Sequence, residues 1–243
     1  MRPKGAEGRG GEMTGKAVTA VKFCGITRLE DALEAAALGA DALGFVFHRP
    51  SPRYIEPSRA AGIAAEVRRR FGDEARPFPG PAGRGRRPAL VGVFVDEDPE
   101  VILAVASRCG LDLFQLHGDE GPEDCRRLSG ERVVKAFSPR DRGDLERIDL
   151  YPVRAVLVDA RDGDRRGGTG RTADWDLARA VAGKRPLILA GGIAPRNVAA
   201  ALSAVAPAAV DVNSGVEEAP GVKDREKMAA LLAAVRAWEG EGR

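Results

Sequence analysis

The chain has 243 residues, of which 44% are hydrophobic and 30% charged, a composition typical of a globular protein with a sizeable core. Its 38 basic and 36 acidic residues are interspersed and leave a net charge of +2, so no broad basic surface is expected to hold nucleic acid. The length is close to the roughly 250 residues of one closed α/β barrel, which makes a single domain the first expectation.

The cysteine and histidine content argues against a metal site and against a disulfide framework. The chain has three cysteines without CxxC spacing and only two histidines. An odd, sparse set of cysteines fits a reducing compartment. No apolar segment reaches the roughly 18 residues of a membrane span, and the first residues lack the apolar core of a signal peptide. We therefore expect a soluble, cytoplasmic protein that contacts no membrane and binds no metal.

From Thr19 onward, short runs of apolar and β-branched residues predict β-strands that alternate with predicted helices. The predicted strands are residues 20–24, 42–47, 90–95, 113–116, 133–137, 155–158, 187–190 and 209–212. The predicted helices, whose apolar residues recur at helical spacing, are residues 30–38, 57–71, 99–109, 122–128, 144–150, 174–182, 195–205 and 224–238. Eight such pairs exceed the five or six of a usual open sheet, so the count predicts an α/β fold with one (β/α)8 TIM barrel.

Two segments lie outside this alternating pattern. Residues 1–18 predict a disordered leader, which leaves residues 19–243 for the barrel. Residues 72–88 are dense in Gly, Pro and Arg and predict an inserted loop between the second helix and the third strand. This connection lies on the face away from the strand ends, so we expect no catalytic role for it. A partner-binding role remains an alternative.

Catalytic groups of such barrels lie where the strands end, and two reactive side chains are found there. Cys24 ends the first strand beside Gly25; it is either a functional thiol or a small buried filler. Asp159 follows the sixth apolar run. A helix cap is the alternative function of this carboxylate, but the next predicted helix begins at Asp174, too far along to be capped by it.

The loops after the last two strands predict a phosphate site. Gly191 and Gly192 follow the seventh strand, and Ser214 and Gly215 follow the eighth. Barrels of this type commonly bind phosphate there through main-chain N–H groups. The glycines of residues 167–170 are either a second set of accessible amides or a flexible loop.

Arg53 follows the second strand in a loop that Pro50 and Pro52 stiffen. Its planar guanidinium suits a carboxylate, although an ordinary surface arginine is the alternative.

Together these segments resemble the phosphoribosylanthranilate isomerase family of tryptophan biosynthesis. The resemblance runs from about Val21 to the last helix. It rests on residues 22–27, 51–55, 92–95, 115–118, 167–170 with 174–175, 189–192, and 211–217 followed by 221–224. One departure is Ala173, where the family often has an aromatic residue, so the packing of that loop is expected to differ.

The resemblance implies an Amadori rearrangement of N-(5-phosphoribosyl)anthranilate that uses no cofactor, in a monomer or a homodimer. It implies that Asp159 is the general acid at the furanose ring oxygen and that Cys24 is the general base at C2′. Arg53 would bind the anthranilate carboxylate, and Asp211 the sugar hydroxyls. His117 is assigned no chemistry, and we expect it to make a structural hydrogen bond.

The chemistry places opposite demands on the two catalytic groups. Cys24 can act as a base if a cation or amide dipoles favour its thiolate. Asp159 must keep its proton, which desolvation by bound substrate would favour.

Three other functions are alternatives to this one. Indole-glycerol-phosphate synthase would require a lysine and glutamates at strand ends, where this chain has Cys24. A pentose-phosphate epimerase would require metal-binding histidines and carboxylates. A non-catalytic barrel that senses a phosphosugar would have no need of both Cys24 and Asp159. The predicted function is therefore the isomerase.

Overall fold

The structure, a computed structural model, describes residues 18–80, 87–139, 142–159 and 173–241. Within these ranges eight parallel strands form one closed barrel, with each strand bonded to the next and β8 bonded to β1. The strands are β1 (Ala20–Phe23), β2 (Ala42–Val46), β3 (Ala89–Phe94), β4 (Leu113–Leu116), β5 (Val133–Phe137), β6 (Ala155–Asp159), β7 (Leu187–Ala190) and β8 (Ala209–Val212). The predicted (β/α)8 barrel is confirmed.

Helices follow the strands and cover the outside of the barrel. They are α1 (Leu29–Leu38), α2 (Pro57–Phe71), α3 (Pro99–Cys109), α4 (Pro122–Arg127), α5 (Arg142–Ile148), α6 (Ala173–Ala182), α7 (Val198–Val205) and α8 (Arg225–Gly240). A short hairpin of β9 (Glu217–Ala219) and β10 (Val222–Lys223) precedes α8. None of the helices in the described ranges has the length and apolarity needed to span a membrane.

Alternation along the strands separates an outer core from the barrel interior. In β1, Val21 and Phe23 belong to the large cluster under the helices, whereas Ala20 belongs to the interior cluster. Lys22, two residues after Ala20, therefore also points into the barrel. The strands are buried on both faces, which explains why they appear in the sequence as nearly continuous apolar runs.

Two helices begin two or more residues away from their predicted first residue. α7 begins at Val198 instead of residue 195, because the Asn197 side chain closes a turn in front of it: Oδ1 accepts from Ala194 N (2.8 Å) and Nδ2 donates to Gly192 O (3.0 Å). α5 begins and ends two residues earlier than predicted. Leu150, which the prediction included, is 65% exposed and contributes no core contact that would extend the helix.

The amino end of the barrel is closed by a side chain from the connection between α2 and β3. The first residue of five strands is alanine, and these small side chains leave space at that end: Ala20, Ala42, Ala89, Ala155 and Ala209. Phe78 is only 2% exposed and belongs to the same interior cluster. The apolar barrel interior is thus shielded from water on the side away from the strand ends.

Polar contacts hold this connection in place. Arg154 Nε donates to Phe78 O (2.7 Å), and Arg87 is buried with two hydrogen bonds to Asp112 (2.6 and 2.9 Å). The rest of the predicted insertion, residues 81–86, and the predicted leader up to residue 17 lie outside the described ranges.

Phe78→Ala is expected to lower the free energy of unfolding by about 3–5 kcal/mol, because it leaves a cavity in the interior cluster. Urea denaturation measures this difference. Leu150→Ala, at a position 65% exposed, is the control and should change stability by less than about 0.5 kcal/mol. Equal stability of Phe78→Ala and the unmodified protein would show that Phe78 does not support the barrel.

Candidate active site

The four catalytic and substrate-binding residues predicted from the sequence all lie toward the carboxyl ends of the strands. Cys24 directly follows β1 and is 6% exposed, and Asp159 ends β6. Asp211 lies in β8, beside Lys22 of β1 in the barrel register. Arg53 lies in the loop between β2 and α2. The closed barrel brings these residues to one rim.

A buried lysine joins several of these groups. Lys22 is 0% exposed, and its Nζ donates to Asp211 Oδ2 (2.7 Å) and to Gln115 Oε1 (2.8 Å). The charge of the same ammonium favours the thiolate form of Cys24. Gly44 in β2 makes room for this arrangement, since a Cβ at that position would lie 2.8 Å from Cys24 Sγ and 3.0 Å from Lys22 Cε.

The environment shifts the pKa of both Lys22 and Cys24 upward. Burial alone lowers the pKa of Lys22, but the charge and the hydrogen bond of Asp211 oppose this effect, and the net pKa is raised. Burial raises the pKa of Cys24, and the cations Lys22 and Lys223 offset only part of that effect. The free protein therefore holds an ammonium beside a protonated thiol at neutral pH. The cations that the thiolate needs are present, yet desolvation dominates.

A second contact sequence leads from Lys22 to Asp159. Because Gln115 Oε1 accepts from Lys22, the donor Nε2 of Gln115 faces His117 Nδ1 at 3.2 Å. Burial lowers the pKa of His117 despite the opposing charge of Asp159, so the ring is neutral at pH 7. A neutral ring that accepts at Nδ1 carries its proton on Nε2, which lies 4.0 Å from Asp159 Oδ2. His117 thus makes the expected structural hydrogen bond to Gln115 and lies beside the Asp159 carboxyl group.

Asp211 has one carboxylate oxygen without a protein partner. Oδ2 is bonded to Lys22, whereas Oδ1 is buried and makes no hydrogen bond to any residue in the described ranges. Buried polar atoms are usually satisfied, so Oδ1 is suited to accept a hydrogen bond from a bound molecule.

The loops that carry the predicted phosphate residues abut one another. Gly191 and Gly192 have φ angles of 90° and 65°, in the left-handed region that glycine adopts readily. Ser214 begins a 3₁₀ turn after β8. A Cβ on Gly215 would lie 2.0 Å from Ile193 O, so only glycine permits this close approach of the two loops. The glycines of residues 167–170 lie outside the described ranges.

Arg53 is paired with a carboxylate of the protein, Glu217, which the sequence prediction did not include. Nε contacts both carboxylate oxygens (3.0 and 3.1 Å), and Nη2 donates to Oε2 (2.6 Å). Lys223 Nζ donates to Oε1 of the same group (2.9 Å). Arg53 is therefore a partly buried, oriented side chain, which argues against the alternative of an ordinary surface arginine.

Four polar residues near the site were not assigned functions from the sequence: Lys22, Gln115, Glu217 and Lys223. Two of them could have been recognised from the sequence as functional candidates. Lys22 and Gln115 each interrupt an apolar strand at a position that faces the interior. Glu217 lies at the start of a short hairpin, where no periodicity marks a buried carboxylate.

Lys22→Met is expected to destabilise the protein by about 3–5 kcal/mol, because it leaves the buried Asp211 carboxylate without its cation. The double variant Lys22→Met with Asp211→Leu should recover part of this loss, as measured by urea denaturation. Lys184→Met removes a lysine whose side chain is 58% exposed and serves as the control. A double variant less stable than Lys22→Met would contradict the proposed pairing.

The chain is similar to known proteins over most of its length. A family model described as N-(5'phosphoribosyl)anthranilate (PRA) isomerase matches residues 82–234. An N-(5'-phosphoribosyl)anthranilate isomerase of Syntrophus aciditrophicus is 48% identical over 223 residues, which cover 92% of this chain and 90% of that relative.

Solved structures agree with the sequence comparison. The crystal structure of phosphoribosyl anthranilate isomerase from Thermotoga maritima superposes with a TM-score of 0.75 at 40% identity and covers 90% of this chain and 99% of its own. A phosphoribosyl anthranilate isomerase in complex with reduced 1-(o-carboxyphenylamino)-1-deoxyribulose 5-phosphate gives a TM-score of 0.73 at 38% identity, with the same coverage of both chains. The chain therefore belongs to the N-(5′-phosphoribosyl)anthranilate isomerase family.

Proposed function

We propose that Cys24 and Asp159 are the general base and general acid of the Amadori rearrangement that this family of isomerases catalyses in tryptophan biosynthesis. The substrate is N-(5′-phosphoribosyl)anthranilate, and the product is 1-(2-carboxyphenylamino)-1-deoxyribulose 5-phosphate. The observation that carries the proposal is a row of neighbouring polar side chains that runs from Cys24 through Lys22, Gln115 and His117 to Asp159. It links a thiol and a carboxyl group at the mouth of one barrel.

The acid step opens the furanose ring. Asp159 gives its proton to the ring oxygen while the bond from that oxygen to C1′ breaks. The lone pair of the anthranilate nitrogen then forms the C1′ iminium. His117 Nε2 lies 4.0 Å from Asp159 Oδ2, and a small movement would let it donate to the carboxylate that remains.

The base step removes the proton from C2′. Cys24 first releases its own proton to solvent and then takes the C2′ proton as thiolate. The electron pair of the C–H bond forms the double bond between C1′ and C2′ while the iminium is neutralised. The Lys22 ammonium and the iminium both favour the thiolate just before transfer. The enolamine becomes the ketone by gaining a proton at C1′ and losing the hydroxyl proton at C2′. The isomerisation is therefore neutral in protons overall.

Three further groups hold the substrate in this proposal. The backbone amides of Gly191, Gly192, Ser214 and Gly215 bind the phosphate on the adjoining loops after β7 and β8. Asp211 Oδ1 accepts from a sugar hydroxyl, which would satisfy this buried oxygen. Arg53 binds the anthranilate carboxylate through the edge of its guanidinium that Glu217 does not occupy.

We further infer that the enzyme is cytoplasmic and that the barrel alone is its active unit. All three cysteines are free thiols, which fits the reducing cytoplasm. The active unit is the barrel of residues 19–243 as a monomer or homodimer, and the leader of residues 1–18 and the insertion at 72–88 take no part in the chemistry.

Cys24→Ala and Asp159→Asn are each expected to lower kcat at least about 10²-fold, because each removes one proton-transfer group. The assay follows consumption of fluorescent phosphoribosylanthranilate by the chelated protein, with circular dichroism as a check on folding. Cys109→Ala and Asp149→Asn are the matched controls and should keep kcat within about twofold. Near-normal turnover in either catalytic variant would remove that residue from the mechanism. Activity that returned only with added metal would favour an epimerase-like reaction.

The residual kcat/KM of Asp159→Asn is expected to rise about tenfold per pH unit up to at least about pH 8.5, the ordinary pKa of a thiol. With the acid removed, the required ionisation is that of Cys24, whose pKa burial raises, so the thiolate fraction grows throughout this range. Steady-state rates between pH 6 and 9 test this. A flat profile, or the same rise in Cys24→Ala with Asp159→Asn, would show that another group is the base.

A further inference from the structure

We propose that Glu217 is a positioning residue that fixes the Arg53 guanidinium for the carboxylate of the substrate, and thereby makes that carboxylate a requirement for tight binding. The inference rests on the proposed function, in which Arg53 is the residue that binds this group. It assigns a specificity role to a side chain outside the acid and base pair.

The contacts between Arg53 and Glu217 fix the orientation of the guanidinium. Nε and Nη2 of Arg53 both bond to the Glu217 carboxylate, which occupies one edge of the planar group. Nη1 makes no hydrogen bond to any residue in the described part of the chain, so the other edge is open to a ligand. Because the Arg53 side chain is 19% exposed and that of Glu217 only 4%, the arginine alone reaches solvent. A bidentate contact on one edge orients the opposite edge.

Glu217 is itself held from a second direction. Lys223 Nζ donates to Oε1 (2.9 Å) and also to Asn213 Oδ1 (3.1 Å), and Gly221 N donates to Oε1 (3.2 Å). Burial raises the pKa of Glu217, but Arg53 and Lys223 together lower it below its usual value, so the carboxylate stays charged. Two cations share one carboxylate in this cluster. The remaining positive charge suits an anionic group of the ligand.

Arg53 lies beside Cys24, the proposed base. Gly25 follows Cys24, and a Cβ at Gly25 would lie 2.8 Å from Arg53 Cδ, so the arginine stem packs directly against this turn. The guanidinium lies within electrostatic range of Cys24, where it would favour the thiolate.

The substrate has matching connectivity. Its carboxylate is ortho to the nitrogen on C1′, and the proton to be removed is on the adjacent C2′. A carboxylate fixed by Arg53 therefore places C2′ a few bonds away, on the side of Cys24.

Binding of two inert ligands isolates the carboxylate contact. The probes are reduced 1-(o-carboxyphenylamino)-1-deoxyribulose 5-phosphate and the corresponding phenylamino compound without the carboxyl group, each titrated by calorimetry. Glu217→Gln should weaken binding of the carboxylated probe about tenfold and that of the other probe less than twofold. Arg53→Met should remove the difference in affinity between the probes. Adding Glu217→Gln to Arg53→Met should have no further effect, because Glu217 acts through Arg53.

Glu218→Gln is the matched control, since this neighbouring carboxylate is exposed and should leave both affinities unchanged. If Glu217→Gln does not fold, Glu217→Asp keeps the charge at a shorter reach and should give a smaller loss, again confined to the carboxylated probe. The inference would be overturned if a Glu217 variant weakened binding of both probes equally. It would also be overturned if Arg53→Met removed the difference in affinity between the probes while the Glu217 variants left that difference unchanged. An unchanged ratio in Arg53→Met would instead refute the carboxylate contact of the proposed function.

Discussion

The arrangement of the site depends on one buried charge, the ammonium of Lys22 in the interior of the barrel. An isolated ammonium in such a place would lose its proton, since desolvation favours the neutral form. Asp211 and Gln115 accept two of its hydrogen bonds at 2.7 and 2.8 Å, and Cys24 lies beside it. The charge is therefore retained, and three other polar groups take their orientation from it.

That orientation passes from one side chain to the next. The ammonium accepts nothing, so it selects the carbonyl oxygen of Gln115 and turns the amide nitrogen toward His117. His117 must then accept at Nδ1 and carry its proton on Nε2, facing Asp159. The protonation of a ring at the end of β4 is thus determined by a lysine in β1. The proposed base and acid share one polar network even though their strands are not adjacent in the barrel.

The sequence predicted the strands nearly residue by residue because each strand is buried on both faces and is bounded by turn residues. Strand order then placed Cys24, Asp159 and Asp211 on one rim, since all strands of such a barrel point the same way. The helix ends were less predictable where a local side chain decided them, as Asn197 does for α7. The partner of Arg53 could not be predicted, because Glu217 lies 164 residues away in a loop without periodic pattern.

The amino end of the barrel contributes mainly to stability, and the carboxyl end of the strands carries the proposed chemistry. At the amino end, alanines and Phe78 form an apolar closure that keeps water away from the interior. Lys22, Gln115 and Asp211 point into the barrel interior above this closure, each as the third residue of its strand. Among the residues that the structure describes, this closure covers the amino end, and water approaches these polar groups from the rim, where the substrate would enter. A bound substrate would remove that water and strengthen every charge interaction around Cys24 at the step in which its thiolate is required.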